Sequence, residues 1–364
     1  MTALQASLGG AALSVLDMVP VSAGRTRADA LDEMVALARA VEAAGYTRYW
    51  LAEHHGSTTY LASATTVLMG QVLASTRRIG VASGGIMLPN HAPLVIAEQV
   101  GTLATLHPGR VDLGLGRAPG TDRLTAAALR RRSGEPRAFA EEILETLAYL
   151  GAVPQEPDGG MPGSLLVGGS EVETARTPTP RRVCAIPGEG TGPTTWVLGS
   201  SVNGARVAGS LGMPFAVASH FAPAQAEAAI ATYRSVFDAQ APTSAEGRPR
   251  IAAAVNAMVA PDAEEARGLF TTAMAAAARI IGGHPGPLDP PAADPDSWRS
   301  LAPGREEAVE AAMALSFVGE PQSVADRLRD LAARWDLDEV LVVTHAHDAA
   351  ARRRSYELLA AAWI

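Results

Sequence analysis

From residue 13 to residue 115 the chain alternates short apolar runs with longer stretches whose apolar positions recur at helical spacing. That alternation is the signature of strand and helix units laid around a parallel sheet. Residues 13–18 predict a first strand. Thr26 followed by Asp29 has the form of a capping box, Leu31, Met34, Val35 and Ala38 share one helical face, and Gly45 sits where a helix C-terminal glycine belongs, so a helix is predicted over 27–44. The cycle repeats with strand 48–52, helix 63–75, strand 79–87, helix 93–106 and strand 111–115.

A helix over 138–150 is followed by a stretch rich in glycine and proline, in which the apolar runs 165–167 and 183–186 predict an inserted hairpin outside the regular cycle. Further strands are expected at 195–198, 215–218, 251–259 and 339–343. Helices are expected at 203–209, 224–240, 263–281, 323–334 and 349–361. Eight such strands with intervening helices specify a (β/α)8 TIM barrel, a single domain over 1–364, whereas a doubly wound open sheet seldom needs eight similar units in a row. Residues 282–304 hold six prolines and four glycines without periodicity. Their place after the seventh strand puts them at the face where barrel enzymes build their sites, so a mobile lid is expected there.

Composition narrows the partners. The net charge of -8 on 364 residues disfavours a nucleic-acid backbone, and Arg130-Arg131-Arg132 is a short solvated patch. No apolar run approaches the roughly 20 residues that cross a bilayer, and residues 1–16 lack the pattern of a signal peptide, so a cytoplasmic protein is expected. The single cysteine, Cys184, has no internal disulfide partner. All thirty basic residues are arginine, which removes lysine Schiff bases, pyridoxal-phosphate aldimines and phosphate-loop lysines from consideration.

Candidate chemistry collects at strand ends. Glu53-His54-His55 falls just past the second strand, where an imidazole can exchange protons near neutral pH. Ser83-Gly84-Gly85 interrupts the third strand, either as a packing kink or to admit a flat ligand. The run from Gly114 to Gly120 fails as a dinucleotide fingerprint, because its third glycine comes one position late and Pro119 falls where a helix should start. What remains is Arg117 in a glycine-rich loop, suited to a phosphate or carboxylate. Leu198-Gly199-Ser200-Ser201 leading into a helix offers hydroxyls and backbone N–H groups as a second anion seat, with ordinary serine capping as the alternative. His220 ends the sixth strand, and His345 and His347 follow the eighth. A metal-dependent barrel hydrolase would gather such histidines, but its usual His-x-His seed on the first strand is replaced here by Leu16-Asp17-Met18, and no metal site is expected. Asp17, His220 and His345 are taken as substrate-pocket residues.

In order along the chain, Tyr49-Trp50-Leu51-Ala52-Glu53-His54-His55, Gly84-Gly85-Ile86-Met87-Leu88-Pro89, Ala97-Glu98-Gln99 and Gly109-Arg110-Val111-Asp112-Leu113-Gly114 resemble the bacterial-luciferase-like flavin monooxygenases. The match resumes over 196–221 and ends with Val343-Thr344-His345-Ala346-His347-Asp348. The resemblance implies a barrel that takes reduced FMN from a separate flavin reductase and, with O2, forms a flavin C4a-hydroperoxide to oxygenate an organic substrate. It implies His54 as the catalytic histidine with Glu53 and His55 beside it, a non-proline cis peptide at Gly84-Gly85 beneath the flavin ring, and cofactor contacts from Arg117, Leu198, Ser200, Ser201 and Gly204. Gly204 stands where relatives often carry threonine. Some relatives use the deazaflavin F420 as oxidoreductases and others bind flavin without turnover; the Glu-His-His version and the arginine loop resemble the FMN branch. A homodimer through helices 63–75 and 93–106 is also expected, and a GC-rich coding habit suggests a hydrophobic substrate such as a polyketide in antibiotic biosynthesis.

Overall fold

The computed structural model describes residues 10–130, 132, 134–154 and 183–363. Its strands are β1 (Ala12–Asp17), β2 (Arg48–Leu51), β3 (Gly80–Ser83), β4 (Ile86–Met87), β5 (Val111–Gly116), β6 (Thr194–Gly199), β7 (Phe215–Val217), β8 (Ile251–Val259), β9 (Ser316–Gly319) and β10 (Glu339–Val343). All pairings among them are parallel, and β10 bonds both β8 and β1, so the sheet closes on itself. The staves of the barrel are β1, β2, β3 with β4, β5, β6, β7, β8 and β10, the eight expected, with helices on the outside. The additional β9, which the sequence pattern did not suggest, pairs with the upper part of β8 beyond the end of β7.

Strand alternation divides the side chains into two cores. Leu13, Val15, Tyr49, Leu51, Val81, Val111 and Leu113 point outward and bury themselves against the helix layer. Leu16, Met18, Trp50, Ala52, Ala82, Trp196, Ala216, Ala252, Ala254, Leu341 and Val343 fill the lumen. Beside four alanines of the lumen, Ala82, Ala216, Ala252 and Ala254, stand the bulky Trp50 and Trp196, their rings meeting edge to face at 5.4 Å. Below them Arg48 bonds Asp112 and, at 2.6 Å, Glu339, which also accepts from the Trp50 indole at 3.1 Å. The N-terminal end of the barrel is thereby plugged by a satisfied ionic cluster, and the C-terminal end is left for chemistry.

Local signals act as expected at several ends. Thr26 Oγ1 accepts from the Asp29 N–H at 3.1 Å, Asp29 returns the bond to the Thr26 N–H at 2.8 Å, and Gly45 takes φ +90° after the helix Arg27–Ala43. The third strand is broken as anticipated, with a cis peptide at Gly84-Gly85. A Cβ on Gly114 would stand 2.0 Å from Ser83 O, and one on Gly85 would stand 2.9 Å from Gly114 O, so close backbone approach between β3 and β5 requires these glycines whatever binds above.

The hairpin expectation is revised, and the segment expected to form a lid is located. The 165–167 half of the suggested hairpin lies outside the described residues, while 183–186 forms no strand: Ala185 N–H bonds Tyr149 O, and Gly188 packs against Gly101, where a Cβ would be only 2.1 Å from the Gly101 Cα. Proline and glycine there favour turns over a ladder. Within 282–304 the chain is anchored, since Leu288 is fully buried and exchanges backbone bonds with Val21 and Ala23, and Trp298 packs beside Ala278, Ala302 and Val309. Thr58 and Thr59 hydroxyls donate to Pro285 O and Gly286 O, so this segment lies against the loop that follows β2.

Candidate active site

The Glu53-His54-His55 run divides between two environments. Continuing the alternation of β2, His54 falls on the same side as the lumen residues Trp50 and Ala52, and His345 follows Val343 in the same way; His220 lies in the turn after β7, close to the His54 and His345 rings. The structure brings these three together with Tyr60. The His54 and Tyr60 ring centroids are 5.1 Å apart, and Tyr60 stacks on His345 at 5.5 Å with 22° between planes.

The three imidazoles are held in their neutral form. Burial pushes His220 down to about 3, reinforced by the nearby His345 and His54 rings. Burial, together with the Arg352 guanidinium, takes His345 to about 4. Burial also lowers His54, although a hydrogen bond to Ala52 O opposes it. That bond, at 3.3 Å from Nδ1, meets a carbonyl, which can only accept; it therefore favours the proton on Nδ1 and leaves Nε2 as the acceptor of the ring. His220 Nδ1 is buried without a hydrogen-bond partner, while its backbone carbonyl accepts from Asn256 Nδ2 at 2.6 Å.

Glu53 and His55 turn to the other side. The Glu53 carboxylate, 1% exposed, accepts from His55 Nε2 at 2.8 Å, from His91 Nε2 at 3.0 Å and from Asn90 Nδ2 at 3.3 Å. Burial alone would raise its pKa; the bonds from His55 and His91 outweigh that and hold it at about 2. This hub also fixes the loop after β5, because Asn90 donates to Pro119 O at 3.1 Å and the His55 N–H donates to Gly120 O at 3.0 Å. Arg117 lies in that loop and donates to Gly134 O at 3.0 Å. His91, Asn90 and Tyr60 were not among the residues singled out from sequence, although His91, just before the Pro93 that opens its helix, sits in a loop after a strand and could have been read as a strand-end residue.

Asp17 does not belong to the mouth. It follows the outward parity of Val15, is completely buried, accepts from Arg352 at 2.6 Å and from the Tyr49 hydroxyl, and ties β1 to the last helix, Ala349–Trp363. Burial would raise its carboxyl, but Arg352, Tyr49 and the Val19 N–H together leave it lowered.

For an anionic cofactor, the second seat has suitable chemistry. Ser201 precedes the helix Val202–Ser210 in extended conformation, and its side chain makes no capping bond to the helix, so serine capping is not what the hydroxyl is used for. A Cβ on Gly204 would stand 3.3 Å from the Gly199 Cα, a tight contact between the helix and β6. Leu198 is packed against the lumen cluster, its Cδ1 facing Gly85 and Gly114.

A closed parallel barrel, plugged at one end and carrying neutral, recessed histidines at the other, defines an enzyme of the (β/α)8 class with its chemistry at the strand C-termini. Comparison with known proteins is more specific. The luciferase-like monooxygenase family model matches residues 12–337, and the chain belongs to that family. It is 41% identical to the uncharacterized protein YvbT of Bacillus subtilis (strain 168) over 352 residues, covering 96% of each chain. It is 39% identical to a luciferase-like monooxygenase of Escherichia coli (strain K12) over 348 residues, covering 95% of each. The crystal structure of apo-MsnO8 is similar over 97% of this chain and 98% of that one, at 32% identity and a TM-score of 0.78.

Proposed function

We propose that the chain is the oxygenating component of a two-component flavin monooxygenase, working with reduced FMN from a separate reductase and with O2. The observation that carries this reading is the convergence of His54, His220, His345 and Tyr60 at the open end of a lumen whose other end is plugged, in a chain of this family. Reduced flavin, when bound, would supply the two electrons that let one oxygen atom enter the substrate while the other leaves as water. Arg117, Ser200, Ser201 and the backbone N–H groups at the start of Val202–Ser210 would hold its phosphate, with Leu198, Gly84, Gly85 and Gly204 in the surrounding wall.

His54 would act as a base towards the substrate, through Nε2. A ring kept neutral by burial and protonated on Nδ1 is available to accept a proton at neutral pH. Neutral His220 and His345, with Leu198, favour a hydrophobic organic molecule, such as a polyketide, over a charged one. Glu53 and His55 would serve the site by position, holding the loop that carries His54 to the loop that carries Arg117. A homodimer finds support in the helices Thr65–Ser75 and Pro93–Leu106, where Val67, Val95 and Leu106 are 68%, 44% and 67% exposed.

The decisive measurement is anaerobic titration of the purified protein with reduced FMN, followed by oxygen and a panel of hydrophobic substrates. Tighter binding of reduced than oxidised FMN, oxygenated product, and no NADPH oxidation by the protein alone are the expected results. Binding of F420 in place of FMN, or rapid NADPH oxidation without a reductase, would overturn the cofactor and two-component assignments respectively.

A further inference from the structure

We propose that Glu53, His55 and His91 form a binding site for a divalent transition-metal ion, with zinc(II) the ion that best matches the donor set. Among the described residues these three side chains each offer one ligand atom, and all three atoms lie within 4.8 Å of one another. Two imidazole nitrogens and one carboxylate are donors that zinc takes readily, and three protein ligands leave a position for water.

The two carboxylate-to-imidazole spacings need only a small adjustment, and the two imidazole nitrogens lie within 4.8 Å of each other. The donor atoms are now 2.8 to 3.0 Å apart across the carboxylate. Zinc bonds of about 2.0 to 2.2 Å in a tetrahedral arrangement space the donors roughly 3.3 Å apart. An opening of a few tenths of an ångström is within reach of side chains carried on loops, and all three lie beyond the ends of β2 and β4. Each imidazole now directs Nε2 at that carboxylate; coordination moves the ring proton to Nδ1, and neither Nδ1 is among the buried polar atoms that lack a partner.

A supporting layer is also present. Asn90 donates to Glu53 Oε1 and to Pro119 O, which orients the carboxylate as outer partners do around metal ligands. The side chains of His91 and His55 are 25% and 13% exposed against 1% for Glu53, so an ion can enter from solvent and settle on a buried charge. Such an ion would clamp the loop bearing His54 to the loop after β4, and through the His55 N–H to Gly120 it would steady the Arg117 loop. This site is separate from the His54, His220 and His345 cluster, and the proposal does not depend on the flavin assignment.

The test uses the full-length, untagged protein, freed of metal by chelation and titrated with zinc(II) in a calorimeter. One zinc per chain with micromolar or tighter affinity is expected, together with a higher melting temperature. His91→Ala should weaken binding by 100-fold or more. X-ray absorption at the zinc edge of the loaded wild-type protein should show two imidazole nitrogens and a carboxylate oxygen, a readout that stands even if the variant fails to fold. Absence of micromolar binding, equal binding by wild type and His91→Ala, or a coordination shell without two imidazoles would each overturn the proposal and leave the three residues as a purely hydrogen-bonded tie.

Discussion

The Tyr60 ring lies nearly parallel to that of His345, 5.5 Å between centroids, and so joins the loop after β2 to the loop after β10 across the barrel mouth. Tyr60 also borders His54, so one aromatic ring shields two imidazoles from water. Tyr60→Ala should therefore raise the pKa values of both His54 and His345 towards the ordinary 6.5. The loss of ring contact should cost roughly 0.5 to 1.5 kcal/mol beyond lost burial. Imidazole titration by NMR measures the shift; unchanged titration of both rings would show that other walls of the mouth keep them neutral.

His54→Ala should lower oxygenation of substrate by about 10² to 10⁴ while FMN affinity stays close to wild type, with electrons diverted to hydrogen peroxide. Product yield and peroxide release, measured together in single turnovers, distinguish this from a structural role, in which binding and stability would fall together. An unchanged rate would move the proton-accepting role to His220 or His345.

Arg117→Ala should weaken FMN by ten-fold or more, as expected for loss of a charge-assisted hydrogen bond worth about 1.5 to 3 kcal/mol. Riboflavin lacks the phosphate and should bind both proteins alike. Because Arg117 also bonds Gly134 O, an equal loss for both ligands would show that the arginine acts by ordering its own loop.

Acid should destabilise the fold in two stages. His220 and His345 have folded pKa values of about 3 and 4 against 6.5 unfolded, so the stability they contribute is complete above 6.5 and is lost as the pH falls through that window. His220 alone accounts for roughly 2 kcal/mol by pH 5. Glu53, near 2 when folded against 4.5, adds its loss only below 4.5. Melting temperatures of wild type and His220→Leu between pH 7.5 and 4 test the first stage: the variant should show the shallower decline, and parallel curves would refute the assignment.

If the chain dimerises through Thr65–Ser75 and Pro93–Leu106, Val67→Glu, which places a charge on an exposed apolar position of the first of these helices, should convert the dimer into a monomer. Light scattering that gives 37.6 kDa for the wild type would exclude the dimer itself.

The barrel was legible in the order of elements because each strand and helix is a local pattern: Thr26 and Asp29 mark a helix start from three residues apart, and the Gly84-Gly85 break shows within one strand. His54, His220 and His345 were legible for a related reason, since each lies just past a strand end. What separated them from their neighbours was not. Whether Asp17 or His54 faces the mouth depends on the parity of a strand within a closed sheet, and Asp17, one residue from Leu16, is turned outward to Arg352, 335 residues away in sequence. Likewise Glu53 meets His91 only because β2 and β3 are adjacent in the barrel, and adjacency across the sheet is fixed by backbone pairing and lumen packing rather than by any local run of residues. Local pattern marked the eight staves and the histidines just past their ends, though not β9; which of those side chains face one another follows from the closed sheet, because side-chain direction and long-range contact depend on register.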